Sequence, residues 1–453
     1  MWKSRVMYAN VGAAAAAVAI AWAPAAGAQA SIYESGPYLA DLSAHGVVVR
    51  TETEGAETLT LTVEPGHHAA SDASATSGVH TLSLDGLEPK TTYHYSVRSS
   101  RGGKEDGSFT TAPADDDASD IRFVLYGDDR GGTATHELLV KRVTDEPFDF
   151  VLDTGDLVAD GRIGSQWEGF FAIEGRLLRD HCMFTAIGNH ELVQEDGASY
   201  LKYFGTAEQQ RNHVFYTTFR WGLARFFVIN GEGSFLGDDR VWLQRELEKA
   251  DDEPGLAWRI VLVHDGPFSS GLHGDNPKLH GADVPELLRR HHVDFVLSGH
   301  DHIYERGASD GLRYVVSGGA GAPLYAIRHL RATTRKVETS YHYVLFEMSR
   351  DKGHIVAKRL DGSVIEDVGF TKTNMWNDDG PTIAAPAQNA APAVAGGGAP
   401  TVEAPAPRAP EGGRTAYVIV GLALAAALSY GVARMRAKKL EDKPIPAKTR
   451  SRP

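Results

Sequence analysis

Val293-Asp-Phe-Val-Leu-Ser-Gly-His-Asp-His302 reads as a short buried strand that runs into a glycine and then into two histidines one residue apart. A run of β-branched and aromatic residues closed by glycine has the composition of a strand packed on both faces. In α/β proteins the carboxyl ends of such strands open into the loops where ligands bind. His300 and His302 leave that end together, and imidazole is the commonest metal-ligating side chain. Alone, a His-x-His pair says little, because most histidines pack or face water. The reading gains its weight from the other strands of the chain.

From residue 120 onward, apolar strands alternate with helical patterns, the mark of an α/β domain. Strands are expected at 121–126, 148–152, 182–187, 259–263 and 293–297, with a helix over 239–248 and more strands at 312–316 and 341–348. Each of the first five ends in candidate ligands: Gly127-Asp128-Asp129-Arg130, Gly155-Asp156, Gly188-Asn189-His190-Glu191, His264, and Gly299-His300-Asp301-His302. Five such endings in one domain point to a site for two metal ions. Carboxylate, amide oxygen and imidazole suit hard and borderline cations at a hydrolytic centre, and a carboxylate can bridge two ions through its two oxygens. Gly318-Gly-Ala-Gly-Ala322 lacks the Lys-Ser/Thr of a phosphate-cradling loop and reads as a tight loop.

The rest of the chain frames this domain. Residues 1–28 have the basic start, apolar middle and small-residue end of a secretory signal peptide. Residues 31–113 alternate in short segments separated by turn residues, as in a β-sandwich. The domain proper is expected over 120–375. An Ala/Pro/Gly-rich stalk is expected at 379–413, then an uncharged apolar run at 415–433, about one bilayer span. The basic tail 434–453 places itself in the cytoplasm by the positive-inside rule, so the expected protein is exported and anchored in the membrane by a C-terminal helix, with the domain outside. A net charge of −13 with no basic stripe argues against nucleic acid as a partner. No protein partner is evident. The single cysteine, Cys182, lies in an apolar run and is expected to be buried and inert.

With these motifs in place, the chain resembles the calcineurin-like metallophosphoesterases, and among them the purple acid phosphatases. The likeness runs over about 32–370 and includes Tyr304-Glu305-Arg306 after the histidine pair. It also includes Leu87-Glu-Pro-Lys-Thr-Thr-Tyr-His-Tyr95, which is similar to the corner of fibronectin type III domains where a tyrosine hydroxyl ties back to the backbone. The resemblance implies a four-layer αββα sandwich preceded by a fibronectin type III-like β-sandwich. It implies two ions of iron, zinc or manganese: Asp128 and His302 on the first, Asn189, His264 and His300 on the second, and Asp156 bridging. It further implies hydrolysis of a small phosphate monoester by a metal-activated hydroxide. His190 becomes the acid that contacts phosphate, and His273 a second substrate-facing histidine.

Two positions depart from the family. Purple acid phosphatases carry a tyrosine three residues after the bridging aspartate, where this chain has Ala159; related phosphoesterases carry a histidine two residues after the first aspartate, where it has Arg130. A guanidinium has no lone pair to give a metal, so the first site is short of one protein ligand. Arg130 is expected either to clamp a substrate phosphate or to pair with Asp129. Tyr304, Glu305 and Arg306 either brace the site or pack. Two other functions compete with monoester hydrolysis: a phosphodiesterase or nucleotide hydrolase on the same metal core, and a cell-surface binding module with a decayed site.

Overall fold

The computed structural model describes residues 33–377, apart from 75, 194, 195 and 374. The expected signal peptide, stalk, membrane helix and tail lie outside the described residues. Among the described residues no helix is long and apolar enough to cross a membrane.

Seven strands come first: β1 (Tyr33–Ala40), β2 (Gly46–Thr53), β3 (Glu57–Glu64), β4 (His68–Ser74), β5 (Gly78–Asp85), β6 (Thr92–Ser99) and β7 (Lys104–Thr110). They form two antiparallel sheets, in the orders β1-β2-β5 and β4-β3-β6-β7. Strand β3, Glu-Thr-Leu-Thr-Leu-Thr-Val-Glu, shows why: Leu59, Leu61 and Val63 point inward while the intervening residues face out, the period-2 pattern of a sheet with one wet face. The Tyr93 hydroxyl accepts the Glu88 N–H at 2.9 Å, tying the corner before β6 to the backbone as its sequence suggests. This unit is bonded firmly to the α/β part of the chain. The Arg50 guanidinium donates to the carbonyls of Tyr203 and Gly205, and the Tyr95 hydroxyl to that of Arg179.

The α/β part begins β8 (Ile121–Tyr126), α1 (Thr133–Val143), β9 (Phe150–Asp153), α2 (Gly164–Asp180), β10 (Met183–Thr185), α3 (Ala198–Phe204) and α4 (Ala207–Asn212). It continues β11 (Thr217–Trp221), β12 (Ala224–Ile229), α5 (Asp238–Asp251), β13 (Trp258–Val263), α6 (Pro277–Gly281), α7 (Val284–Arg290) and β14 (Phe295–Ser298). It closes with β15 (Tyr304–Ser309), β16 (Leu312–Ser317), β17 (Thr334–Glu338), β18 (His342–Met348), β19 (Lys352–Arg359) and β20 (Val364–Thr371). One sheet has the order β10-β9-β8-β18-β19-β20, the other β11-β12-β13-β14-β16-β15-β17. Strands β8, β9 and β10 run parallel in the first, as do β12, β13, β14 and β16 in the second.

The sheets pack on each other through an aromatic core in which Phe123 stacks on Phe346 and meets Phe226 edge-on. Helices α1 and α2 cover the outer face of one sheet through Leu139, Val143, Phe170 and Leu177, and α5 and α7 cover the other through Leu243, Leu247 and Leu287. Four layers result. Strands buried on both faces need near-continuous apolar sequence, which is why β8, β9, β13 and β14 are legible by composition. Cys182 is fully buried, and burial pushes its thiol up to about 12, so it is inert.

Candidate metal centre

The carboxyl ends of β8, β9 and β10 from one sheet meet those of β13 and β14 from the other, and every ligand candidate lies on the loops that leave them. Asp128, Asp156 and His300 each hold a left-handed backbone, with φ of 59°, 61° and 64°. Non-glycine residues rarely adopt this conformation, and where they do the strain tends to mark functional sites. Glycines make room for the carboxylates. A Cβ on Gly188 would strike Asp156 Oδ1, and one on Gly299 would strike Asp128 Oδ2.

The imidazoles are aimed by their outer nitrogens. His264 Nδ1 lies 2.9 Å from the Thr154 carbonyl and His302 Nδ1 2.6 Å from the Pro323 carbonyl. A carbonyl can only accept, so each Nδ1 carries the proton and each Nε2 is left with a lone pair facing inward. His264 Nε2 then stands 3.2 Å from Asn189 Oδ1, 3.4 Å from Asp156 Oδ1 and 3.1 Å from His300 Nδ1. His302 Nε2 faces Asp128 Oδ1 at 3.2 Å, and both atoms are buried without a hydrogen-bond partner. Lone pairs turned on one another in a buried space are costly unless something positive sits among them. The six predicted ligands are therefore brought together as the sequence suggests, and their donor atoms fit metal ions.

The acid candidate is placed as well. The His190 N–H donates to Asp156 Oδ1, and its ring Nδ1 lies 2.6 Å from the Ala159 carbonyl, which leaves Nε2 free and 3.8 Å from Asp156 Oδ2. His273 also arrives, its ring centroid 4.2 Å from that of His300. Its loop is held by Asp301, which accepts the backbone N–H groups of His273 and Gly274. Burial drives the Asp156 carboxyl upward, but His264, His190 and Arg130 outweigh it and hold the group ionised below its ordinary range.

Arg130 does not pair with Asp129. Its Nε donates to Asp156 Oδ2 at 2.9 Å, while the neighbouring Asp129 points the other way, toward His136. Consecutive residues leaving a strand end diverge, and sequence adjacency is a poor guide to pairing there. Tyr304 and Arg306 both engage Glu366 and pack. Glu305 braces, accepting the N–H and hydroxyl of Ser270 in the His273 loop.

Three more residues belong to the site, of which Glu232 and Tyr325 carry no mark in the sequence. Glu191 takes the backbone N–H groups of Asp156, Val158 and Gly188, clamping two ligand loops together; burial and then Asp156 push it up to about 7. Its place in Gly188-Asn-His-Glu191 was the signal. Glu232, on the loop after β12, groups with His264 and His300 closely enough to share an ion. Tyr325 stacks on His302, ring centroids 3.9 Å apart, and its hydroxyl lies within electrostatic reach of the Arg130 guanidinium. Nothing near it in sequence resembles a ligand motif.

Residues 119–304 match the calcineurin-like phosphoesterase family. That stretch holds all six ligand candidates, from Asp128 to His302. The chain is 25% identical over 268 residues to purple acid phosphatase 23 of Arabidopsis thaliana, covering 51% of this chain and 58% of that protein. It is 28% identical over 276 residues to an uncharacterised protein of Mycobacterium tuberculosis, covering half of each. The chain thus spans about half the length of the curated relatives it matches. In fold, the chain is similar to a purple acid phosphatase from yellow lupin (Lupinus luteus) seeds, with a TM-score of 0.65, 19% identity and 74% of each chain covered. It is also similar to PhoD, with a TM-score of 0.59, 12% identity, and 76% of this chain and 92% of that one covered. The family implies metal ions, in keeping with the carboxylate, amide and imidazole donors that converge at the strand ends.

Proposed function

We propose that this chain is a metal-dependent hydrolase of phosphate monoesters. The observation that carries the reading is the convergence of His264 Nε2, Asn189 Oδ1, His300 Nδ1, Asp156, and the orphaned pair Asp128 Oδ1 and His302 Nε2. The reading assigns Asp128 and His302 to a first ion, Asn189, His264 and His300 to a second, and Asp156 to both, with Glu232 beside the second. Ions at such donors polarise a phosphoryl oxygen and acidify water. The acid phosphatase names of the plant relatives support the monoester class. The strand order of the N-terminal sandwich and the Tyr93 corner support its being fibronectin type III-like.

The chain's own residues then divide the work. His190 keeps Nδ1–H on the Ala159 carbonyl and takes a second proton on Nε2; in that imidazolium form it gives the Nε2 proton to the leaving oxygen and returns to the neutral ring. Arg130 and Tyr325 stand together at the rim and orient the phosphate, Arg130 by charge-assisted bonds and Tyr325 by its hydroxyl. His273 faces the substrate from the opposite loop. Glu191, Asp301 and Glu305 hold the loops.

The test is hydrolysis of a panel of mono- and diesters before chelation, after it, and after each metal is restored. Activity on monoesters should vanish on chelation and return with metal. Full activity in the metal-free protein, or a clear preference for diesters, would overturn the proposal. Separately, Arg130→Ala should raise KM about 10- to 100-fold, the scale of a lost charge-assisted hydrogen bond, and Tyr325→Phe about fivefold. Steady-state kinetics decides: a fall in kcat at unchanged KM would assign both groups to the chemical step instead.

A further inference from the structure

Behind the site, on the far side of the β8 loop, lies a second cluster. Helix α2 buries Trp167, Phe170, Phe171, Leu177 and Leu178 at helical spacing, and Glu174 sits in the middle of that apolar stripe, fully buried. Helix α1 does the same with Leu139, Val140 and Val143, and the intruder is His136. Ionisable groups at core-facing positions are rarely left there without a partner. The two meet, with His136 Nε2 2.8 Å from Glu174 Oε1 and 3.2 Å from Asp129 Oδ2. A single Nε2–H can serve only one of these carboxylates well. The Tyr126 hydroxyl also donates to Glu174 Oε1, at 3.0 Å.

The result is a surplus of buried negative groups. Both oxygens of Asp129, Oε2 of Glu174 and Oδ2 of Asp153 are buried with no hydrogen-bond partner. Asp153, at the end of β9, is not part of the His136 pairing, yet it is fully buried and acts electrostatically on Asp129. The guanidinium next in the chain, that of Arg130, is turned away to Asp156. A cavity of about 310 Å³ opens beside the cluster, lined among others by Asp129, Thr133, His136, Ala159 and Gln166. The small side chain of Ala159 helps to leave this space open, so an ion has a route in.

We propose that Asp129, His136 and Glu174 bind a divalent transition-metal ion, separate from the catalytic centre. Two carboxylates and an imidazole suit manganese, zinc or ferrous iron. His136 Nε2 lies 2.8 Å and 3.2 Å from the two carboxylate oxygens, and all three ligand atoms lie within 4.8 Å of one another; bonds of about 2.0–2.2 Å separate ligand atoms by about 2.8–3.1 Å at octahedral angles and about 3.3–3.6 Å at tetrahedral ones, so the cluster has the spacing of donors around one small cation. Such an ion ties the residue beside Asp128 to α1 and α2, and so fixes the loop that carries the first ligand.

Crystals of the full chain grown with manganese or zinc, with data collected at the metal's absorption edge, test this directly. An anomalous peak is expected between His136 and Asp129, lost in His136→Gln, and metal content by mass spectrometry should fall by one ion per chain in that variant and in Glu174→Gln. The melting temperature should rise on adding metal more in the wild type than in either variant. Absence of the peak at saturating metal would overturn the proposal, and it is measured on wild-type protein, so misfolding of a variant cannot hide it. Peaks at His264 and His302 report the catalytic reading independently.

Discussion

Asp156→Asn is expected to abolish phosphoester hydrolysis while the fold persists. An asparagine keeps a carbonyl oxygen to accept the His190 N–H that Asp156 Oδ1 now takes, and its own N–H still meets Glu191. What disappears is the negative charge shared across the site. An amide has one good donor oxygen where the carboxylate has two, so it cannot bridge two cations, and the charge that holds hard ions is halved or lost. Metal content should fall together with activity. A variant that retains more than about a tenth of the wild-type rate at saturating metal would show that Asp156 does not bridge. The variant also separates the roles of Arg130. With Asp156 neutral, the guanidinium loses its present partner and should still bind inorganic phosphate if its task is substrate orientation.

Much of the site was legible because it lies at the ends of strands buried on both faces. Ile121–Tyr126, Trp258–Val263 and Leu312–Ser317 are apolar almost throughout, so their ends, and the Asp, Asn and His residues beyond them, could be located within a residue or two. The bounds of β9 and β10 shifted inward by a residue or two at the amino end, where Phe148 and Cys182 continue the apolar pattern but not the ladder. Other parts depended on chain reversals that composition does not encode. Glu232 comes after β12, a strand whose pairing with β13 sets its loop against His264. Tyr325 reaches His302 only because β16 returns beside β14 and sends the next loop back across the site. The direction of Arg130 depended on a left-handed turn at Asp128 that nothing local to a Gly-Asp-Asp-Arg sequence announces. Glu174 was visible in principle, as an acid inside an apolar helical stripe.

His190→Ala is expected to leave metal content unchanged while turnover falls about 10²- to 10⁴-fold, the usual scale for loss of a general acid. The structure gives the physical reason for separating the two effects. His190 touches Asp156 through its backbone N–H, which an alanine retains, whereas its ring is fixed on the Ala159 carbonyl with Nε2 directed into the site, 3.8 Å from Asp156 Oδ2. An imidazole ordinarily titrates near neutrality and can hold a proton for a departing alkoxide. The need for that proton depends on the leaving group. A nitrophenolate departs without help, while an alkoxide does not, so the loss of rate should be small for nitrophenyl phosphate and large for an alkyl phosphate. Measuring kcat for a series of esters graded in leaving-group pKa gives the slope, which should steepen in the variant. An equal loss across the series would sink the acid assignment and leave His190 a positioning residue for the phosphate.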